Sequence, residues 1–148
     1  MTDRQIKKGS ASVECPVFEH TAFTPPKPLK EATVAIVTSA SLHHATDNDF
    51  APVDTGYRVL HRDRHDIVVG HWSPNFDASG VTADLNVVFP IDRLNELAHR
   101  GTIGRVSNVH LAYAGNQFDL SGIQMDGGPA GADFLIKNEV DVVLLTPV

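Results

Sequence analysis

Histidine and aspartate side chains follow two apolar segments of this chain. His43 and His44 come after the first segment, and His71 and Asp77 come after a later one. Because the carboxyl ends of parallel strands meet at one edge of a sheet, these four side chains are expected to lie together. An imidazole titrates near neutral pH, so each histidine could act as a general acid or base. The alternative is that His44 and His71 only cap loops.

A metal site is a weaker interpretation of the same side chains. Imidazoles and carboxylates are metal ligands, and a set of suitable type is present: His43, His44, His71 and Asp77. The chain has no HxH, HExxH or CxxC spacing, however, so the pattern is not specific for a metal. We therefore predict no metal and keep this set as an alternative.

Two further motifs carry less weight. Cys15 is the only thiol and lies among prolines near the N-terminus, so it is interpreted as a free loop thiol rather than a nucleophile. A single cysteine excludes an intramolecular disulfide and favours a reducing, cytoplasmic location.

The GGPAG run at 127–131 precedes a predicted helix and could hold a phosphate. It matches neither GxGxxG after a strand nor a P-loop, so a flexible loop is predicted.

The elements that position these residues alternate between strands and helices. Continuous apolar runs predict strands at 33–38, 57–60, 66–70, 106–113 and 140–145. Three- and four-residue spacing predicts a helix over 90–100, with a core face formed by Ile91, Leu94, Leu97 and Ala98. A second helix is predicted over 130–138. The order predicts an α/β fold with a mostly parallel sheet flanked by helices, of Rossmann-like or flavodoxin-like three-layer type. SASLHH is predicted to be a turn, and 45–56 and 71–86 loops.

Composition suits one domain. The chain has 148 residues, of which 42% are hydrophobic. Its net charge is −6, and it has no cluster of basic residues of the kind that binds nucleic acid. No apolar run approaches the roughly 20 residues that a membrane span requires, and the N-terminus lacks the apolar core of a signal peptide. Prolines predict an N-terminal arm at 1–32, extended at FTPPKPL, in front of an α/β domain at 33–148.

Several segments, in order, carry a family resemblance: PPKPLKEATVAIVTSASLHH, TGYRVL, GHWSPNFDASGVTADLNVVFPIDRLNEL, GTIGRV and EVDVVLLTPV. They resemble the selenocysteine-containing B-type subunits of glycine, sarcosine and betaine reductases and of D-proline reductase. The GHW and DLNVVFPIDRL runs are more similar to the D-proline reductase branch. Two departures stand out. The family tends to have Gly-Leu-His where this chain has Ser41-Leu42-His43, and an aromatic-rich segment where it has His110 to Gly115.

The resemblance implies redox chemistry that the 148 residues would not complete alone. In the family, selenocysteine, or cysteine in some relatives, follows the strand that resembles DVVLLTPV. A nucleophile is therefore expected directly after Val148, and the chain is expected to be a truncated domain, inactive by itself. No cofactor is expected in this chain, because the family's pyruvoyl group sits on a partner subunit.

The implied reaction is reductive cleavage of the C–N bond of D-proline or of a glycine derivative. The pyruvoyl group captures the substrate amine, and the selenolate attacks the activated carbon. The resemblance implies that His43, His71 and His110 protonate the leaving amine or hold the selenolate, and that Asp77 orients one of them.

Two other functions stay open at this point. One is a small, non-redox α/β protein that binds a metal or ligand, and the other is an interaction module that docks through FTPPKPL. Because a truncated domain would leave the strand at 140–145 uncovered, either a homodimer or larger assembly or else poor solubility is predicted.

Overall fold

A five-stranded sheet and a separate two-stranded sheet form the centre of the computed structural model. It describes residues 2–12, 17–20, 24–73, 76–115, 117 and 119–148. Cys15, interpreted as a free thiol, lies outside the described residues. No helix in these ranges is long and apolar enough to cross a membrane.

The strands are β1 (Thr33–Thr38), β2 (Leu42–His44), β3 (Tyr57–His61), β4 (Ile67–Val69), β5 (Arg105–Val106), β6 (Val109–Tyr113) and β7 (Val142–Thr146). The helices are α1 (Asp3–Ser10), α2 (Ala78–Ala83), α3 (Ile91–His99) and α4 (Gly128–Lys137). Short 3₁₀ turns occur at Leu29–Glu31 and Leu85–Val87, and a π-helical turn at Ile123–Gly127 precedes α4.

The main sheet is built around β1. This strand pairs in parallel with β5 and β6 on one side and with β7 on the other, and β6 pairs antiparallel with β3 at the far edge. Three of the four pairings are thus parallel, and the predicted α/β class with a mostly parallel sheet is confirmed.

The strand predicted at 66–70 does not belong to this sheet. β4 pairs antiparallel with β2, with Leu42 opposite Val69. The prediction of a turn at SASLHH is also wrong, because its last three residues form β2. The chain turns at Ser41, which has a φ of 54°. β2 therefore does not continue β1, and it pairs with β4 outside the main sheet. Apolar continuity identifies a strand but not the strand it pairs with.

Helices cover both faces of the main sheet. Val34 and Ile36 of β1 belong to a core that includes Leu94 of α3, whereas Ala35 packs with Leu135 of α4 on the opposite face. The predicted core face of α3 contributes to the first core through Ile91, Leu94, Leu97 and Ala98. This alternation along β1 produces the predicted three-layer arrangement.

Two short helices were not predicted. α2 lies within the predicted loop 71–86; it has only six residues, two of them Gly80 and Thr82, which favour helix weakly. It forms because Asp77 caps it and Val81 is buried. α1 lies in the predicted arm. The end of that arm contacts the body, where Lys27 pairs with Asp141 at 2.7 Å.

Candidate functional site

The carboxyl ends of β1, β6 and β7 meet at one edge of the main sheet, and the chain that follows β4 joins them there. Val148 donates its N–H to Ser39 Oγ at 2.9 Å. Gly115, just past β6, donates its N–H to Ser41 Oγ at 3.2 Å. Gly70, just past β4, donates its N–H to the carbonyl of Ser41 at 3.0 Å. Residues that follow three different strands, β4, β6 and β7, are therefore hydrogen-bonded to two serines that follow β1.

His71 also lies at this edge, beside Gly115. Its Nδ1 accepts from Ser73 N at 3.1 Å, so the neutral ring carries its proton on Nε2. Nε2 is buried and has no hydrogen-bond partner among the described residues. A Cβ on Gly115 would lie 2.5 Å from this Nε2 and 2.6 Å from the carbonyl oxygen of Ser39, which places the ring beside Ser39. Burial lowers the pKa of His71 and so favours this neutral donor.

His43 is buried beneath the same edge, but its ring points to a loop. Its Nε2 is 2.8 Å from Asp49 Oδ1, and its Nδ1 is 3.4 Å from the carbonyl of Ser41. The carboxylate of Asp49 is 83% exposed, so this His–Asp pair joins the buried edge to solvent. A Cβ on Gly70 would lie 3.0 Å from His43 Cε1, so His43 packs directly under the residue that precedes His71.

His44 has a structural position. Its Nδ1 is 2.9 Å from Asp66 Oδ1, and its Nε2 accepts from the backbone N–H of His61 at 2.9 Å. The ring proton is therefore on Nδ1, and both nitrogens are engaged in tying β2 to β3 and β4. The side chain of Arg64 binds Asp66 as well, and chiefly this bond lowers the pKa of that carboxyl.

Asp77 is engaged by a helix cap rather than by a histidine. Its carboxylate accepts from Ser79 N at 2.9 Å as the N-cap of α2, and the bonds from Ser79 lower its pKa. Among the described residues it has no hydrogen bond or ion pair with a histidine. Across the same residues, no three His, Cys, Asp or Glu side chains are placed to hold one metal ion. The alternative metal set is therefore not assembled: His43, His44, His71 and Asp77.

His110 lies inside the sheet rather than at its edge. It is 0% exposed, and its Nδ1 accepts from the backbone N–H of Ile36 at 2.9 Å. Ile36 lies in the part of β1 between its pairing with β5 and its pairing with β6. Its Nε2 is buried without a partner among the described residues, next to the Phe89 ring at 5.2 Å between centroids. Burial, and then the charge of Arg62, lower the pKa of His110 to about 4. This histidine is therefore neutral and structural in its setting.

Two known proteins are similar to this chain over nearly its whole length. D-proline reductase subunit gamma of Acetoanaerobium sticklandii is 34% identical over 151 residues, which cover 99% of this chain and 62% of the relative. Glycine reductase complex component B subunit gamma of Symbiobacterium thermophilum is 26% identical over 159 residues, which cover 99% of this chain and 36% of the relative. Over nearly its whole length, this chain is similar to these two reductase gamma subunits.

The family resemblance predicted from the sequence is thereby confirmed, with the higher identity on the D-proline reductase side. The chain spans about 62% of the length of the first relative and 36% of that of the second. No family model matches it, and no solved structure gives a significant match.

The sequence analysis did not single out Ser39 and Ser41, the two serines that organise this candidate site. The available signal was the pair of hydroxyl residues directly after the first strand. A second signal was the departure from Gly-Leu-His at Ser41. Its φ of 54° lies in the left-handed region, which glycine adopts without strain. The glycine that the resemblance implies at this position would fit the same turn, and Ser41 adds a bond to Gly115.

Exchanging Ser41 for glycine or alanine should separate these two contributions. Ser41→Ala loses the bond to Gly115 and keeps the unfavourable φ, so it should lower the free energy of unfolding by about 1 kcal/mol. Ser41→Gly loses the same bond but relieves about 1–2 kcal/mol of strain, so it should be the more stable variant. Urea unfolding of both proteins measures the difference. Equal stability of the two variants would show that the backbone turn is unstrained.

Proposed function

We propose that this chain forms the part of a reductase gamma-type subunit that holds a selenocysteine or cysteine nucleophile. In this proposal the nucleophile follows Val148. The observation that carries it is the buried Nε2–H of His71, which has no hydrogen-bond partner among the described residues and lies beside Ser39, whose hydroxyl binds the Val148 backbone. Ser39 is therefore the residue that relates His71 to Val148, the position before the proposed nucleophile.

The residues at this edge fit an anionic sulfur or selenium atom. A buried N–H without an acceptor is costly, and a thiolate or selenolate supplies an acceptor for it. The lowered pKa of His71 keeps the ring neutral, so its interaction with the nucleophile is a hydrogen bond from Nε2 rather than an ion pair. Such a donor holds the ionised nucleophile without neutralising it.

The reaction we propose is reductive C–N cleavage, with D-proline as the first substrate to test because identity is higher to the D-proline reductase relative. A pyruvoyl group on a partner subunit would make the substrate carbon electrophilic. In this chain, Ser39 fixes the backbone at Val148, and His71 orients the nucleophile through Nε2. His43, held by the exposed Asp49, passes a proton between solvent and the leaving amine. We assign no proton-transfer role to His110 or Asp77.

A reconstitution assay tests this function. The chain is extended past Val148 with cysteine or selenocysteine and with the remainder of a relative's gamma subunit, and is combined with a pyruvoyl-containing subunit and a dithiol. Opening of D-proline to 5-aminovalerate, dependent on the added nucleophile and on the dithiol, is the expected result. The matched control carries serine in place of the nucleophile. Equal product from that control would exclude the proposal. Release of ammonia from glycine, without opening of D-proline, would show that the substrate is that of the glycine reductases.

We also propose that β7 is an association surface. It is an edge strand of the main sheet, and its most exposed apolar side chain is Leu145, at 69%. Beside it a groove of about 550 Å³, lined mostly by apolar residues, runs between β7 and α4. An uncovered apolar edge of this kind recruits partners.

Sedimentation should therefore show a homodimer or larger assembly of the 148-residue chain. Placing a charge on the edge opposes strand pairing, so Leu145→Lys should shift the chain towards monomer. Ile136→Lys changes an equally exposed residue that lies on α4 rather than on the strand, and it separates an effect of the edge from one of the groove. A wild-type chain that sediments as a monomer at micromolar concentration would contradict this role of β7.

A further inference from the structure

A polar pocket of about 310 Å³ lies at the amino-terminal edge of the main sheet. Thr33, the first residue of β1, is part of its lining. Ser39 and the candidate reductive site follow the other end of that strand, about 20 Å away at the usual rise of a β-strand. The pocket is therefore separate from the site described so far.

Two arginines line this pocket. Arg62, just past β3, donates from Nη1 to the carbonyl of Val106 at 3.3 Å and has no acidic partner among the described residues. Arg105 donates from Nε to Thr33 Oγ1 at 2.8 Å and from Nη2 to Glu139 Oε2 at 3.2 Å. Each guanidinium has five N–H groups, so both retain donors that these bonds do not use.

The pocket exists because the chain bulges between β5 and β6. Ser107 donates its N–H to the carbonyl of Val34 at 2.9 Å, whereas Asn108 turns its carbonyl to the N–H of Arg62 at 3.0 Å. The two residues therefore face opposite neighbours, and the strands part between them. Ser107 is only 3% exposed, and its Oγ accepts from Val109 N at 3.2 Å. Its hydroxyl hydrogen remains free to donate.

From this arrangement we infer that the pocket binds the oxyanion group, a phosphate or a carboxylate, of a small ligand. Planar guanidinium groups such as those of Arg62 and Arg105 match the paired oxygens of both anions. Its volume lies at the lower end of small-molecule pockets, which begin at about 300 Å³.

The acidic residues nearby leave room for such an anion. Glu139 is 83% exposed in its pair with Arg105, and it is the acid that an incoming oxyanion replaces there. Asp141 lies close as well, since it accepts from Thr33 N at 3.0 Å, but Lys27 offsets its charge at 2.7 Å. The positive charge of Arg62 is not paired with an acidic side chain among the described residues.

Calorimetric titration of the purified chain tests the inference. Sodium phosphate and sodium acetate are the probes, with sodium chloride at matched ionic strength as the blank. Saturable binding of phosphate or acetate is expected, and Arg62→Gln should weaken it about tenfold or more, the effect of losing one charge-assisted hydrogen bond. Arg93→Gln is the matched control, because Arg93 is paired with Glu96 on an exposed face of α3.

Arg62 also donates to the backbone, so Arg105→Gln serves as the second variant if Arg62→Gln does not fold. Its side chain is 61% exposed, and its loss should spare the fold while weakening anion binding to a similar extent. The inference is overturned if neither oxyanion shows saturable binding above the chloride blank. It is equally overturned if the folded arginine variants bind as tightly as the wild type.

Discussion

His71→Ala in the reconstituted reductase is expected to lower kcat/KM for D-proline by about 10²–10³-fold, the usual effect of removing one preorganised hydrogen-bond donor from a charged reacting group. The physical reason is the loss of the Nε2 donor beside Ser39, which leaves the nucleophile without its partner. Thermal unfolding should change little, because the ring is only part-buried.

The matched control for this result is His99→Ala. His99 lies in the last turn of α3, is exposed, and is unrelated to the sheet edge. It should turn over D-proline at the wild-type rate. Wild-type turnover by a folded His71→Ala enzyme would show that His71 is not part of the site.

Because burial lowers the pKa of His71, the wild-type enzyme should stay active somewhat below the ordinary histidine pKa. Activity should fall only when Nδ1 is protonated and loses the bond that it accepts from Ser73 N.

Acid should destabilise the fold through His110 alone by about 3 kcal/mol. Its pKa is about 4 in the folded chain against 6.5 for an ordinary histidine. Between these values the unfolded chain binds the additional proton and the folded chain does not. The stability contribution is therefore complete above pH 6.5 and is lost as the pH falls towards 4.

The comparison that isolates this effect is His110→Asn. Asparagine can place an oxygen near the position of Nδ1 and so keep an acceptor for the Ile36 N–H, but it does not titrate. Urea unfolding at a series of pH values should give a clearly shallower dependence of stability on pH for His110→Asn than for wild type. An identical pH dependence in the two proteins would show that His110 is not the acid-sensitive group.

Much of the fold could be predicted because its signals are local. β1 is a continuous β-branched run, and α3 has one-sided apolar spacing, so both were predicted close to their observed bounds. β2 has only three residues, two of them histidines, and forms because β4 pairs with it. Such pairing depends on a chain reversal at Ser41 that no pattern of apolar residues reveals.

The candidate site was predictable in part for the same reason. The position of His71 after an apolar strand placed it at the correct edge, although β4 reaches that edge from a separate sheet. His110 looked equivalent in the sequence but points along the sheet to the Ile36 N–H. Asp77 is the N-cap of α2, and since that six-residue helix was not predicted, its capping role was not recognised either. The direction of a side chain is fixed by tertiary packing, which the sequence pattern does not encode.

The most direct test of the account is the pKa of a thiol placed immediately after Val148. The chain is extended there by a cysteine and a short glycine-serine tail in a Cys15→Ser background, and alkylation by iodoacetamide is followed as a function of pH. With His71 present, the thiol pKa should lie below the ordinary value of about 8.5. In the His71→Ala protein it should rise back towards that value. A thiol pKa that is ordinary in both proteins, or equally lowered in both, would contradict the claim that His71 and the residue after Val148 form one site.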